Sequence, residues 1–194
     1  MRLVLAAATA LAALTAVSAA PAVAAPAVLV AVQSDSVSDA EVAQFATAMT
    51  AVMAVNAQVE NGTPTAEQQA AMAAAIEGAG LTIDRFNAIS AQVSTDRVLN
   101  ARLDLARTEP SPAGSVGAGV TDAEIEQFTK AMADIRPISQ ALAGAAPSAE
   151  QQAAMSAAIT DSGLTLERFN AVSAATSRDA HLRARIALAD IKAG

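Results

Sequence analysis

Two ten-residue stretches, Leu81–Ser90 (LTIDRFNAIS) and Leu164–Ser173 (LTLERFNAVS), carry nearly the same residues 83 positions apart. The same offset aligns residues 37–107 with residues 120–190 without a gap, and about half of the aligned positions are identical. Two copies are too few for a solenoid, which needs about three or more stacked repeats. We therefore predict one small domain that occurs twice in the chain.

The composition favours helices throughout. Hydrophobic residues make up 53% of the chain, but only 2% is aromatic, and much of the apolar content is alanine, the strongest helix former. No run of alternating β-branched residues is bounded by turn signals, so the sequence contains no strand pattern. We predict an all-α protein of two homologous small bundles, each with about four helices.

Helix boundaries are marked by capping residues that recur at the same offset. Ser38 with Glu41, and Thr121 with Glu124, have the spacing of a capping box. Further caps, and the glycines expected to end the second helix of each copy, are Thr65, Gly80, Thr82, Ser94, Ser148, Gly163, Thr165 and Ser177. For the first copy we predict helices at about residues 39–59, 66–78, 83–92 and 96–107.

The four phenylalanines of the chain are Phe45, Phe86, Phe128 and Phe169, two in each copy at equivalent positions. Phe45 lies on an apolar stripe with helical spacing, as do its neighbours Val42 and Met49. The repeated decapeptide is therefore interpreted as a helix start plus a core aromatic residue, and its recurrence requires no ligand.

One position breaks the equivalence of the two copies. Pro137 falls inside the long first helix of the second copy, where the first copy has Ala54. Proline inside a helix removes a backbone hydrogen bond and clashes with the preceding turn. We therefore predict a kink or a break near residues 135–138, and a second copy that is less helical than the first.

Residues 1–24 have the order of a secretory signal peptide: Arg2, an apolar run and a terminal Ala22-Val23-Ala24. An uncleaved membrane anchor is the alternative, but Pro21 and Pro26 interrupt the apolar run before it reaches the roughly 20 residues that a spanning helix needs. We predict a cleaved signal, an extended segment at 25–36, and a periplasmic or secreted bacterial protein without stable membrane insertion.

A segment rich in Pro, Gly and Ser, residues 108–119, separates helical repeat 1 (37–107) from helical repeat 2 (120–191) and is predicted to be a flexible linker. Loss of Arg2 with the signal leaves 11 of the 12 basic residues against 19 acidic ones, so the net charge goes from −7 to −8. An acidic surface of this kind disfavours nucleic acid and anionic lipid as partners.

The order of capped helix, Gly-Leu-Thr helix start, aromatic-Asn-x-Ile core and closing Asp-x-x-Leu helix resembles the bacterial family of unknown function called DUF4168. In the first copy the residues that carry this resemblance are Asp39, Phe45, Gly80, Leu81, Phe86, Asn87, Ile89, Asp96 and Leu99, and the second copy repeats the pattern from Asp122 to Leu182. The resemblance implies export and a helical fold, and no activity.

Few residues offer catalytic chemistry. His181 is the single histidine, its counterpart is Val98, and no orienting partner is visible, so we interpret it as an ordinary surface or boundary residue. Met49 and Met53 lie one helical turn apart and could hold Cu(I), but core filling is the favoured interpretation for Met49. No enzyme, catalytic residue, metal or cofactor is predicted.

Four polar residues recur in both copies and need another explanation. Asn87 and Asn170 follow the core phenylalanine, and Arg102 and Arg185 lie on the fourth helix of their copies. These residues are predicted either to form hydrogen bonds between helices and loops or to line a binding groove.

Two functions from different classes remain open. The first is an exported, non-enzymatic structural or interaction module of the envelope, acting on an unknown protein partner or on a second copy of itself. The alternative is a small-molecule or metal binder with a groove between the two repeats, because ligand sites often form at such interfaces.

Overall fold

The computed structural model describes residues 36–59, 62–142 and 144–194, and every regular element among them is helical. The eight α-helices are α1 (Asp39–Asn56), α2 (Ala66–Gly78), α3 (Ile83–Thr95), α4 (Arg97–Ala106), α5 (Asp122–Leu142), α6 (Ala149–Asp161), α7 (Leu166–Thr176) and α8 (Ala180–Ala193). The predicted all-α class is confirmed. The predicted signal peptide and residues 25–35 lie outside the described residues.

We call α1–α4 helical group 1 and α5–α8 helical group 2. Each group has its own hydrophobic core, and each core contains one pair of aromatic rings. The ring centroids of Phe45 and Phe86 are 4.8 Å apart, and those of Phe128 and Phe169 are 4.9 Å apart. Phe45 and Phe128 are buried, and their partner rings pack against the same cores, so the prediction that the phenylalanines are core residues is confirmed.

Most predicted helix starts are confirmed by hydrogen bonds. The side chain of Ser38 accepts the backbone N–H of Glu41, while Glu41 accepts the backbone N–H of Ser38, which completes the capping box. Thr121 and Glu124 form the same reciprocal pair. Gly80 has a φ of 90°, the left-handed conformation that ends α2 and that glycine adopts without steric cost.

The predicted caps of the fourth helices, Ser94 and Ser177, are wrong. Ser94 lies inside α3 and donates to the carbonyl of Ala91, and Ser177 donates to the carbonyl of Ala174. The caps are Asp96 and Asp179, which accept backbone N–H groups at the starts of α4 and α8. A carboxylate at this position also gains from the positive end of the helix dipole, an advantage that a hydroxyl lacks.

Of the kink or break predicted near residues 135–138, the break does not occur. The helix α5 runs without interruption from Asp122 to Leu142, and at 21 residues it is longer than α1, with 18. Proline deprives the carbonyl of Ala133 of its helical N–H partner, but Ala133 is exposed, so water can hydrogen-bond to that carbonyl. Solvation of that carbonyl offsets part of the cost of the proline, and the helix continues through it.

The two groups pack against each other through α4 and α8. At one end of the pair, the hydroxyl oxygen Oγ1 of Thr108, just after α4, lies 3.0 Å from Nδ1 of His181 at the start of α8. At the other end, Arg97 at the start of α4 lines a small pocket together with Ile191 near the end of α8. The two helices therefore run antiparallel. His181 belongs to this interface, in agreement with its interpretation as a boundary residue.

The connection between the groups is ordered, in contrast to the flexible linker predicted. It contains a short 3-10 helix, Gly117–Gly119, which contacts α7 and α8. Gly117 is buried, and a β-carbon at this residue would collide with the carboxylate of Asp179 and approach Ser111 Oγ to 3.1 Å. A residue without a side chain is therefore needed where the connection crosses the start of α8.

Replacement of a core aromatic residue should destabilise its helical group strongly. We expect Phe45→Ala to lower the free energy of unfolding by about 3–5 kcal/mol, because it removes a fully buried ring and leaves a cavity in the core. Urea denaturation followed by circular dichroism measures the loss. Met53→Ala is the control on the same helix: Met53 is 47% exposed, so a change within about 0.5 kcal/mol is expected. Equal losses in the two variants would contradict the assigned core.

Gly117→Ala should destabilise the packing of the connection on α8. The added methyl group cannot be accommodated beside Asp179 without displacement, and we expect a loss of about 1–3 kcal/mol, visible as a lower melting temperature. Gly119→Ala is the matched control in the same 3-10 helix, because no atom lies within 4 Å of the position that its new β-carbon would occupy. A Gly119→Ala variant as unstable as Gly117→Ala would show that sterics at Asp179 are not the cause.

Candidate functional site

A cleft of about 1,140 Å³ lies where the two helical groups meet. Its apolar floor comes from α4 and α8, through Leu105 and its equivalent Leu188. The first helices of both groups supply its walls, with Val42 on α1 and Ile125 on α5. We call this space the junction cleft. It exists only because α4 packs against α8, so neither group could form it alone.

Two equivalent ion pairs line the junction cleft. Arg102 on α4 donates to the carboxylate of Asp39, with Nη2 2.6 Å from Oδ1, and Arg102 Nη1 donates to the carbonyl of Val37. Arg185 on α8 makes the same contacts with Asp122 and the carbonyl of Val120. Each arginine thus ties the fourth helix of its group to the start of the first. Both arginines also line the cleft, so the structural and the binding interpretations coincide at these positions.

Asn87 and Asn170 are placed differently. Both side chains are exposed, and neither forms a hydrogen bond with a described residue. The expectation that they bond between helices or to a loop is therefore wrong. Neither asparagine lines the junction cleft, so only the two arginines, of the four recurring polar residues, lie in the predicted groove. No contact among the described residues explains why these two amides recur.

Four further cations line the junction cleft, and none of them stands out in the sequence: Arg97, Lys130, Arg136 and Lys192. Each occurs in one copy only. At the 83-residue offset their counterparts are Ala180, Thr47, Met53 and Glu109. A search for what the two copies share cannot find such residues. A comparison of the two copies for positions that differ in charge would have found them.

The most strongly perturbed carboxylates belong to the capping boxes. A hydrogen bond from Arg85 Nε, 2.7 Å from Glu41, is the main reason why the pKa of Glu41 is lowered to about 2, and the backbone N–H of Ser38 contributes next. The Arg168 guanidinium lowers the pKa of Glu124 to about 2 in the same way. These pairs join the third helix of each group to the first, and neither carboxylate lines the junction cleft.

The two methionines considered as Cu(I) ligands do not form a site. Met49 is half-buried and packs against the core of group 1, whereas Met53 is exposed. Within the described residues, no group of three or more His, Cys, Asp or Glu side chains is arranged to hold a metal ion. None of the described helices has both the length and the apolar character needed to cross a bilayer.

Comparison with known proteins adds no relative: no family model, curated protein or solved structure matches this chain.

Acid should destabilise the protein through Glu41 and Glu124. The pKa values of both carboxyl groups are lower in the folded state than in the unfolded state. Their contribution to the free energy of unfolding is therefore complete above the unfolded-state pKa, near 4.5, and is lost as the pH falls towards 2. We expect each pair to contribute on the order of 1–2 kcal/mol after solvent screening. Urea titrations between pH 6 and pH 2 measure this loss.

The double variant Glu41→Gln/Glu124→Gln should be less stable than the parent at pH 6, with a flatter dependence on pH. Glu77→Gln is the control, because Glu77 is exposed and forms no ion pair with a described residue. If the double variant and the parent lost stability equally between pH 4.5 and pH 2, the two capping carboxylates would not be responsible.

Proposed function

We propose that this chain is an exported, non-enzymatic binding module of the bacterial envelope, made of two copies of one four-helix domain. The observation that carries the proposal is the use of its recurring charged residues. The Arg–carboxylate pairs that occur at equivalent positions join helices within each group, as Arg85–Glu41 and Arg168–Glu124 do. The charged residues that form these pairs therefore serve the scaffold, which suits a protein that acts by presenting binding surfaces.

The sequence supports the proposed location and family. The signal-peptide order in residues 1–24 and the resemblance to DUF4168 support export to the periplasm or the medium. Adding 83 to the residue numbers of the Arg102–Asp39 ion pair gives the Arg185–Asp122 ion pair of the second group. This equivalence of contacts supports a tandem duplication. The net negative charge argues against nucleic acid as a partner.

Affinity capture with the mature chain tests this proposal. The folded protein, immobilised and exposed to an envelope extract of its source cells, should enrich a partner reproducibly, and chemical cross-linking should place that partner on the described surface. The control bait is Phe45→Ala/Phe128→Ala, which lacks a core ring in each group and should lose the surface with the fold. Equal recovery on both baits, or no partner together with no self-association in sedimentation equilibrium, would contradict the proposal.

The second candidate function is a small-molecule binder, and the junction cleft is the observation that favours it. Its volume of about 1,140 Å³ is slightly above the range of about 300–1,000 Å³ usual for ligand pockets, and it lies between the two helical groups, a kind of position where such sites are common. A thermal-shift screen of metabolites and metal ions tests this candidate directly. At least one compound should raise the melting temperature in a concentration-dependent way, since a ligand that binds only the folded state stabilises it.

A further inference from the structure

We propose that the junction cleft binds a small organic anion that carries an apolar body. This inference rests on the ligand-binding function proposed above and names the chemical class of the ligand. Three observations on the described residues carry it: the distribution of charge over the protein, the pairing state of the cations in the cleft, and the apolar floor between them.

The junction cleft is the basic part of an acidic protein. Six of the 11 described basic side chains line it, together with four of the 17 described acidic ones, since Arg2, Asp35 and Glu60 lie outside the described residues. The side chains of the cleft thus sum to +2, whereas the other described side chains sum to −8. The cleft holds charges of both signs with an excess of cations, and such an excess favours ligands of negative charge.

Several of the cleft cations are available to a ligand. Arg97 and Lys192 form no ion pair with any described residue, and both are exposed. Lys130 pairs with Asp134, a carboxylate outside the cleft lining, and both side chains are at least half exposed. Arg136 lies 3.6 Å from Asp190, beyond good hydrogen-bond distance. These four cleft cations have no basic counterpart in the other copy. Arg102 and Arg185, in contrast, recur and join helices within their groups, so they are needed for the scaffold.

The two unpaired cations lie at the same end of the junction cleft. Because α4 and α8 run antiparallel, the start of α4, with Arg97, lies beside the end of α8, with Lys192. An anionic group placed between them would receive two charge-assisted contacts. Next to this position Ile191 supplies an apolar side chain, and the half-buried side chains of Leu188 and Leu105 continue the apolar floor towards the other end of the helix pair. A ligand with an anionic head and an apolar body matches both parts.

Isothermal titration calorimetry of the full mature chain with three probes tests this inference. The probes are 2-naphthoate, which has both features, 2-naphthylmethanol, which lacks the charge, and acetate, which lacks the apolar body. We expect 2-naphthoate to bind with a stoichiometry of one, and the other two probes to bind at least tenfold more weakly. Added salt should weaken the binding of 2-naphthoate, because the contacts with the cations are screened.

Matched variants locate the site. Arg97→Gln/Lys192→Gln removes the two unpaired cations and should weaken 2-naphthoate binding at least tenfold. Arg107→Gln/Arg178→Gln is the control: it removes the same charge from two exposed arginines outside the cleft and should leave the affinity unchanged. Circular dichroism should show that both variants are folded, because none of the four residues forms an ion pair with a described residue.

Different failures have different meanings. If 2-naphthylmethanol binds as tightly as 2-naphthoate, in a 1:1 complex, and the cleft variant has no effect on either, the anion inference is overturned while ligand binding stands. If 2-naphthoate binds but both double variants weaken it equally, the cleft is not the site and the inference is overturned. If no probe binds, and no compound of the thermal-shift screen does either, the ligand-binding function fails with it.

Discussion

The start of the first helix in each group is the point on which the rest of the structure depends. At this end, Glu41 closes the capping box on Ser38 and also receives the Arg85 guanidinium from α3, while Asp39 receives Arg102 from α4. One helix end is thus joined to two other helices by charge-assisted hydrogen bonds, which are about twice as strong as neutral ones. The cores themselves consist mainly of Val, Ile, Leu and Phe side chains, and these hydrogen bonds add fixed directions to that packing.

The two groups pack against each other through the helix face that each leaves outside its own core. The fourth helix of each group has one face on its own core and another on its partner, so α4 and α8 meet directly. The ordered connection through Gly117 and the contact of Thr108 with His181 hold one end of this helix pair. The junction cleft lies along the same pair, and this explains why residues of both groups line it.

Residues that recur build the scaffold, and residues that differ between the copies give the cleft its charge. The phenylalanine pairs and the two kinds of Arg–carboxylate pair recur, and they act inside a group. Cations that occur in one copy only, among them Arg97 and Lys192, line the space between the groups.

The sequence by itself determined the helical class, most helix starts and the core phenylalanines, because capping and apolar periodicity are local properties. Local signals misjudged the caps at Ser94 and Ser177 and the effect of Pro137, where a neighbouring carboxylate and solvent access decided the outcome. The hydrogen bond expected for Asn87 does not form with any described residue, because its side chain is exposed. Only the tertiary structure decided the antiparallel contact of α4 with α8, and with it the site, since residues far apart in the chain become neighbours through packing alone.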